Sequence, residues 1–222
     1  MIPLVLLTIL LFNCSQKRAL TAEGILNKSI SYHDPNGVWG QFKGTFHFES
    51  SFSWNDSIPE ALIISIDVAN DYLRYQNLDR ESDYVFHKDE CKTLKGSVKC
   101  EDQIWIKNFY TYTWGLPMKL KDPGTAIKDT LITREFNNVS CYVLSVDYEN
   151  EKWNYYMDEE SFQLLGFDFI FKNKKKGETI YLSSERKVGK MRLASKRVWT
   201  DYYDGTALGT NELKKFEAFP IE

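Results

Sequence analysis

The sequence predicts a mainly β protein of α+β character: a strongly curved antiparallel sheet with one or two helices on its concave side. Three observations carry that reading. Apolar and polar residues alternate over stretches as long as or longer than ordinary strands. Those stretches follow one another across short breaks, the spacing of antiparallel hairpins. Aromatic residues make up 15% of the chain (14 Phe, 13 Tyr, 6 Trp), and rings pack well on a half-buried pleated surface. A length of 222 residues suits one domain with a sizeable core.

Residues 2–12, IPLVLLTILLF, form an apolar run too short for a bilayer span, which needs about 20 residues. Such a run is the apolar core of a secretory signal. Leu11-Phe12-Asn13-Cys14-Ser15 follows and resembles a bacterial lipobox, although Phe12 and Asn13 are bulkier than its usual small residues and no Lys or Arg precedes the run. The resemblance implies that residues 1–13 are a lipoprotein signal peptide and that Cys14 carries the lipid. Residues 14–18 are then a polar tether, and residues 19–222 a single β-rich domain. No acidic cluster follows Cys14 directly. That pattern resembles an outer-membrane lipoprotein of the bacterial cell envelope that faces the periplasm.

Each later element has its own signal. Residues 19–32, with a Thr21-Ala-Glu-Gly start and Leu20, Ile25, Leu26 and Ile30, read as a short amphipathic helix. His33-Asp34-Pro35-Asn36-Gly37 ends it. From Val38 to Trp54 the even positions carry Phe42, Phe46, Phe48 and Phe52, so one long strand is expected with bends at Gly40 and Gly44. A second long strand starts near Ala61 with Leu62, Ile64, Ile66 and Val68 on one face and runs on toward Tyr75, with a bulge at Asn70-Asp71. Residues 102–114 fit a helix whose stripe is Trp105, Phe109 and Tyr112, and a loop with two prolines follows. Further strands are expected at 139–148 (apolar on both faces and so central in the sheet), 153–157, 165–171, 178–184 and 191–203. Asp204-Gly205 is the strongest hairpin signal, leading into 207–213. The total is nine or ten strands.

The exported compartment permits disulfides. Cys91 and Cys100 bracket ECKTLKGSVKCE; a two-residue turn at Lys95-Gly96 makes them a close non-hydrogen-bonded pair. Cys141 is left over and reads as a small buried apolar residue.

Net charge is −3 with both signs interspersed, so nucleic acid is not an expected partner. The basic run Lys172–Lys176 reads as a solvated hairpin turn. No catalytic or metal motif stands in the sequence, no cofactor is implied, and His33, His47 and His87 form no ligand pattern. The expectation is a non-enzyme.

The order helix, long aromatic strands, hairpin, helix, GLPMKLKDPG (115–124), then WNYYMDEESFQLLGF (153–167) resembles an uncharacterised family of Bacteroidota lipoproteins. The step from an aromatic strand through Asp158 and a short turn to Leu165 is similar to the outer-membrane lipoprotein carrier fold, an unclosed β-barrel with helices plugging its mouth. The resemblance implies a hydrophobic cavity and no enzymatic activity. On it, Phe42, Phe46, Phe48 and Phe52 of one strand and Leu165, Phe167, Phe169 and Phe171 of another line the inside and bind or carry an apolar small molecule or lipid. The same sequence fits a scaffolding lipoprotein with a filled core, or a hydrolase assembled from dispersed carboxylates.

Overall fold

The computed structural model describes residues 20–218 apart from 54 and 55; Cys14 and the segments expected to be leader and tether lie outside the described residues. The chain begins with helix α1 (Ala22–His33), continues through strands β1 (Lys43–Phe52), β2 (Glu60–Asp67), β3 (Tyr72–Asn77), β4 (Ser82–His87) and β5 (Glu90–Lys95), and enters helix α2 (Ile104–Trp114). The strands β6 (Ile132–Phe136), β7 (Val139–Asp147), β8 (Glu151–Asp158), β9 (Leu164–Phe171), β10 (Gly177–Val188), β11 (Met191–Asp201) and β12 (Ala207–Ala218) follow. All pair antiparallel in one 12-stranded sheet of order β5-β4-β3-β2-β1-β12-β11-β10-β9-β8-β7-β6. Two meanders therefore meet where β1 pairs with β12. The end strands β5 and β6 are not paired with each other, so the curved sheet is an unclosed barrel.

Local chemistry explains the punctuation. Thr21 caps α1 by accepting a bond from Gly24 N at 3.0 Å. Asp34 then turns the chain into β1, its two carboxylate oxygens accepting the backbone N–H of Val38 and Trp39 at 2.8 Å each. Between them lies a 3-10 turn at Trp39–Gln41, so the first strand starts at Lys43 rather than Val38. Asn70-Asp71 is not a bulge: the chain reverses there, Asp71 taking a left-handed φ of 48°, and the expected long strand is the β2–β3 hairpin. β6 carries no strong alternation and was not expected. β7 is apolar on both faces but lies next to the edge, because α1 packs on one face and Phe136 and Tyr156 pack beside it on the other.

Two large clusters fill the concave side. One gathers Phe42, Phe46, Phe48, Ile64, Leu73 and Phe86 under Ile106, Tyr110 and Trp114 of α2; the other gathers Leu144, Tyr155, Phe167 and Trp199 under Ile25 and Leu26 of α1. Arg197 of β11 is also buried on this side, its guanidinium 3.3 Å from the Trp114 ring centroid. It donates to Ala194 O at 3.0 Å and to Thr113 O at 3.3 Å, which fastens the last turn of α2 to the sheet. Burial pulls its pKa down to about 9, and it remains a cation at neutral pH.

The disulfide forms by a different route from the expected hairpin. Cys91 lies in β5 opposite Phe86, and the chain beyond Gly96 returns without pairing, as a 3-10 turn containing Cys100. Their Cα atoms are 5.9 Å apart and their sulfurs are bonded. Cys141 is a free, buried thiol, pushed up to about 11 by burial and by nearby Asp158 and Glu159.

Candidate functional site

The sheet and helices leave a cavity of about 830 Å³ at one end of the concave side. Its wall can be built from the register. Phe167 of β9 pairs with Ile180 of β10, Ile180 with Trp199 of β11, Trp199 with Gly209 of β12, and Gly209 with Phe52 of β1, while Tyr155 of β8, opposite Phe167, continues the row into the closed core. The side chains of one such row share a face of the sheet. Gly209 is required there: a Cβ would come within 2.1 Å of the Phe52 ring, and its absence lets Phe52 meet Trp199 edge-on at 5.4 Å. One step toward the opening the row is Trp153, Phe169 and Glu178, with Trp153 and Phe169 stacked at 4.6 Å. A further step brings Glu151 opposite Phe171.

The opposite wall comes from β2 to β4, where Leu62, Tyr75 and Tyr84 give way toward the opening to Glu60, Asn77 and Ser82. Glu60 accepts from Asn77 at 2.8 Å and from Arg80 at 2.5 Å. Ile106, Phe109, Tyr110 and Thr113 of α2 make the floor. The interior is thus mainly apolar and ring-lined, with Ser50 and Thr113 among its buried polar residues and the charged groups gathered toward the rim. Burial lifts the Glu178 carboxyl above its usual range, against the pull of Lys176, and Glu151 is engaged by the Trp153 indole N–H at 2.8 Å.

Of the eight residues expected to line the inside, four do. Phe52, Phe167, Phe169 and Phe171 face the cavity. Phe42, Phe46 and Phe48 do not: Trp114 of α2 covers Phe46 at 5.3 Å and Phe48 at 4.5 Å, Phe42 stacks between Trp39 and Phe216, and all three belong to the closed core. Leu165 is turned to the other face. Met157 pairs with Leu164 and Tyr156 with Gly166, so Leu165 is an extra residue between two pairs. This bulge moves it to the outer cluster of Phe136 and Tyr156.

The sequence reading missed Trp153, Trp199, Tyr75 and Tyr110. Trp153 was within its reach, since it alternates with Tyr155 and Met157 on its own strand; Trp199 was not, being flanked at alternate positions by Arg197 and Asp201. The stripe expected on α2 is displaced: Tyr110 and Trp114 are buried while Trp105 is 55% exposed, and Trp105 and Phe109 face the cavity. Among the described residues His47 and His87 do not converge. His47 lies 3.4 Å from Glu217, and His87 is exposed at the end of β4. Asp158 accepts backbone and hydroxyl bonds from Ser161 at 2.6 Å and serves as a turn cap.

Solved structures share this architecture. A LolA superfamily protein of Nitrosomonas europaea aligns with a TM-score of 0.56 at 10% identity, over 92% of this chain and 96% of its own. A Vibrio parahaemolyticus domain described as outer membrane lipoprotein-sorting gives 0.56 at 10% identity, over 90% and 94%. A DUF1329 family protein of Desulfovibrio piger gives 0.52 at 8% identity, over 89% and 92%. At such identities the likeness is one of fold. No functionally curated protein matches the chain. The sequence of residues 2–210 matches one protein family, described only as a family of unknown function.

Proposed function

The chain belongs to DUF6503, a family of unknown function, and we propose that its β domain binds or carries an apolar, lipid-like ligand in the ring-lined cavity while Cys14 anchors it to a membrane. The cavity carries this reading. A volume of about 830 Å³ lies within the range of roughly 300–1,000 Å³ typical of ligand pockets, and its mainly apolar interior with a few polar groups is the usual composition of such sites. A purely scaffolding protein with a filled core has no use for this space.

The fold supports the same reading by analogy, since its solved neighbours include one described as outer membrane lipoprotein-sorting. No helix among the described residues is long and apolar enough to cross a bilayer. The attachment we propose rests on the lipobox-like Leu11-Phe12-Asn13-Cys14 and is an acyl group on Cys14. An anchored binder differs from a free shuttle. It would receive or deliver its ligand at one membrane, which we place at the outer membrane facing the periplasm.

The test is titration of the detergent-free domain, residues 15–222, with a naphthylamine probe that brightens in apolar surroundings, followed by displacement with long-chain alcohols. A saturable signal at one site per chain, displaced more readily as the chain lengthens, is expected. A linear, non-saturating signal would refute the cavity as a binding site.

A further inference from the structure

The strands place six loops at the open end of the cavity, and exposed apolar residues gather on them. Ile58 (58% exposed) sits between β1 and β2, Leu78 (54%) between β3 and β4, Val98 (43%) after β5, Trp105 (55%) in the first turn of α2, and Tyr202 (39%) and Tyr203 (44%) between β11 and β12. Few large exposed hydrophobics occur elsewhere among the described residues. Scattered exposed apolar side chains are ordinary, but a rim of them around one opening marks an interaction surface.

One sector of this rim is built for a particular partner. The β9–β10 hairpin carries Lys172, Lys174, Lys175 and Lys176 beside rings. Lys174 lies 4.3 Å from the Phe171 centroid, Lys176 5.8 Å from the same ring, and Lys175 5.4 Å from Tyr203. Tyr202 N donates to Gly177 O at 3.1 Å, tying this hairpin to the β11–β12 turn, and Lys172 N donates to Asn150 O at 2.9 Å, tying it to the β7–β8 turn. The result is a braced lip of lysines and tyrosines, with Phe171 belonging both to the lip and to the cavity wall. Aromatic residues with an apolar body and a polar tip, flanked by long basic side chains, are what the boundary between lipid headgroups and acyl chains accommodates. Glu149 and Asp204 are the nearest acids on these turns. Asp204, held below the usual carboxylate range mainly by accepting from Thr206, stays ionised, and Glu151, Glu178 and Asp201 stand at the strand ends behind it; the basic character belongs to the hairpin tip itself, where residues 172–177 carry four lysines and no acid.

Helix α1 begins on the same side. Glu23 in the first turn of α1 pairs with Lys121 at 3.2 Å, and Ala22 and Leu26 lie beside Ile127, which bridges to Val146 near the cavity end of β7. The other end of α1 is fixed far from the opening, where His33 bonds Arg192 O at 2.7 Å and Leu164 N at 2.9 Å. From residue 14 to residue 22 an extended chain reaches at most about 28 Å, so an acyl group on Cys14 would hold the cavity end close to a bilayer.

We infer that the lip formed by Phe171, Lys174, Lys175, Lys176, Tyr202 and Tyr203 docks on a membrane surface carrying anionic lipid, presenting the cavity opening to the bilayer from which its ligand comes. The partner follows from charge complementarity, the interfacial aromatics and the position of the α1 N-terminus. The inference deepens the proposed carrier role, but the contact is measurable without any cavity ligand.

The experiment is flotation of unacylated residues 15–222 with vesicles of phosphatidylcholine alone or with about one third phosphatidylglycerol. Each basic residue near such a surface contributes on the order of a fivefold gain in binding. Binding to the anionic vesicles should therefore exceed that to neutral ones by at least about tenfold and fall sharply in about 0.5 M salt, where screening is nearly complete. The Lys174→Glu, Lys175→Glu, Lys176→Glu triple variant should lose that preference, and Tyr202→Ser with Tyr203→Ser should weaken binding at every salt concentration. Naphthylamine uptake should survive in both variants, which shows that they are folded and separates this inference from the cavity reading. Equal binding to both vesicle types, no binding to either, full binding by the triple variant, or a stable dimer in solution that buries these tyrosines would overturn it.

Discussion

Phe46 and Phe169 both lie on the concave side, yet cutting each to alanine should have different consequences. Phe46 is 0% exposed and is surrounded by rings, with Phe42 at 5.5 Å, Phe48 at 5.7 Å, Trp114 at 5.3 Å and Phe216 at 5.2 Å. Phe46→Ala therefore leaves a void that close-packed neighbours cannot fill and should cost about 3–5 kcal/mol. Phe169 is half-buried. One face rests on Trp153 at 4.6 Å, its edge meets Phe171 at 5.8 Å, and the rest borders the cavity. Phe169→Ala forfeits about half of the burial of a core ring, on the order of 1.2 kcal/mol. The lost stack adds about 1 kcal/mol, for a total near 2 kcal/mol.

The order reverses for ligand. A bound chain that loses a similar area of contact at Phe169 should bind roughly eightfold more weakly by the same area rule. Phe46→Ala should leave affinity within about twofold under conditions where it is fully folded, because additivity holds for groups with no shared contact. Urea unfolding followed by circular dichroism gives the first quantity and probe titration the second. Equal destabilisation by the two substitutions, or unchanged probe affinity in Phe169→Ala, would refute the division of the concave side into closed core and cavity.

Other outcomes follow from single contacts. Cys91 and Cys100 close a loop of sequence separation 9, so reduction should cost roughly 2–3 kcal/mol; non-reducing peptide mapping should recover the two joined, with Cys141 alkylated only after unfolding. Burial holds His33 below its ordinary pKa of 6.5, and Nε2 accepts from Leu164 N at 2.9 Å, so the neutral ring is the one that fits. The unfolded state then binds the extra proton. Stability from His33 is fully present above about pH 6.5 and is lost as pH falls through the lower folded value. Because Asp168 and Glu178 are raised and act in the opposite sense, the test is the stability difference between the parent and His33→Gln, which should shrink from pH 7.5 to pH 5; a constant difference would contradict the assignment. Gly209→Ala should displace the Phe52 ring, cost about 1–3 kcal/mol and weaken probe binding. Cys14→Ala should abolish acylation, which intact mass reads directly.

Much of the fold was legible because its signals are local. Asp204-Gly205 turns the chain between β11 and β12, Gly205 taking a φ of 74°, and Thr21 and Asp34 delimit α1 as their side-chain chemistry requires. What failed was non-local. Alternation places Phe42, Phe46, Phe48 and Phe52 on one face, but only the position of α2, more than fifty residues on in sequence, decides that Trp114 covers Phe48 while Phe52 is left beside the cavity. Parity alone puts Leu165 with Phe167. One extra residue in the β8–β9 register reverses it. The Cys91–Cys100 pairing was reached from a symmetric hairpin that does not exist, because proximity needs only that the chain fold back, and a 3-10 turn does so as well as a strand.

The central claim is that the space under the sheet holds an apolar molecule. Native mass spectrometry of residues 15–222, secreted and purified without detergent and then incubated with a total lipid extract, tests it most directly. The account predicts one apolar adduct per chain, extractable into organic solvent and markedly reduced in Phe169→Ala. A chain that stays at its bare mass in the presence of excess lipid, while folded by circular dichroism, would contradict it.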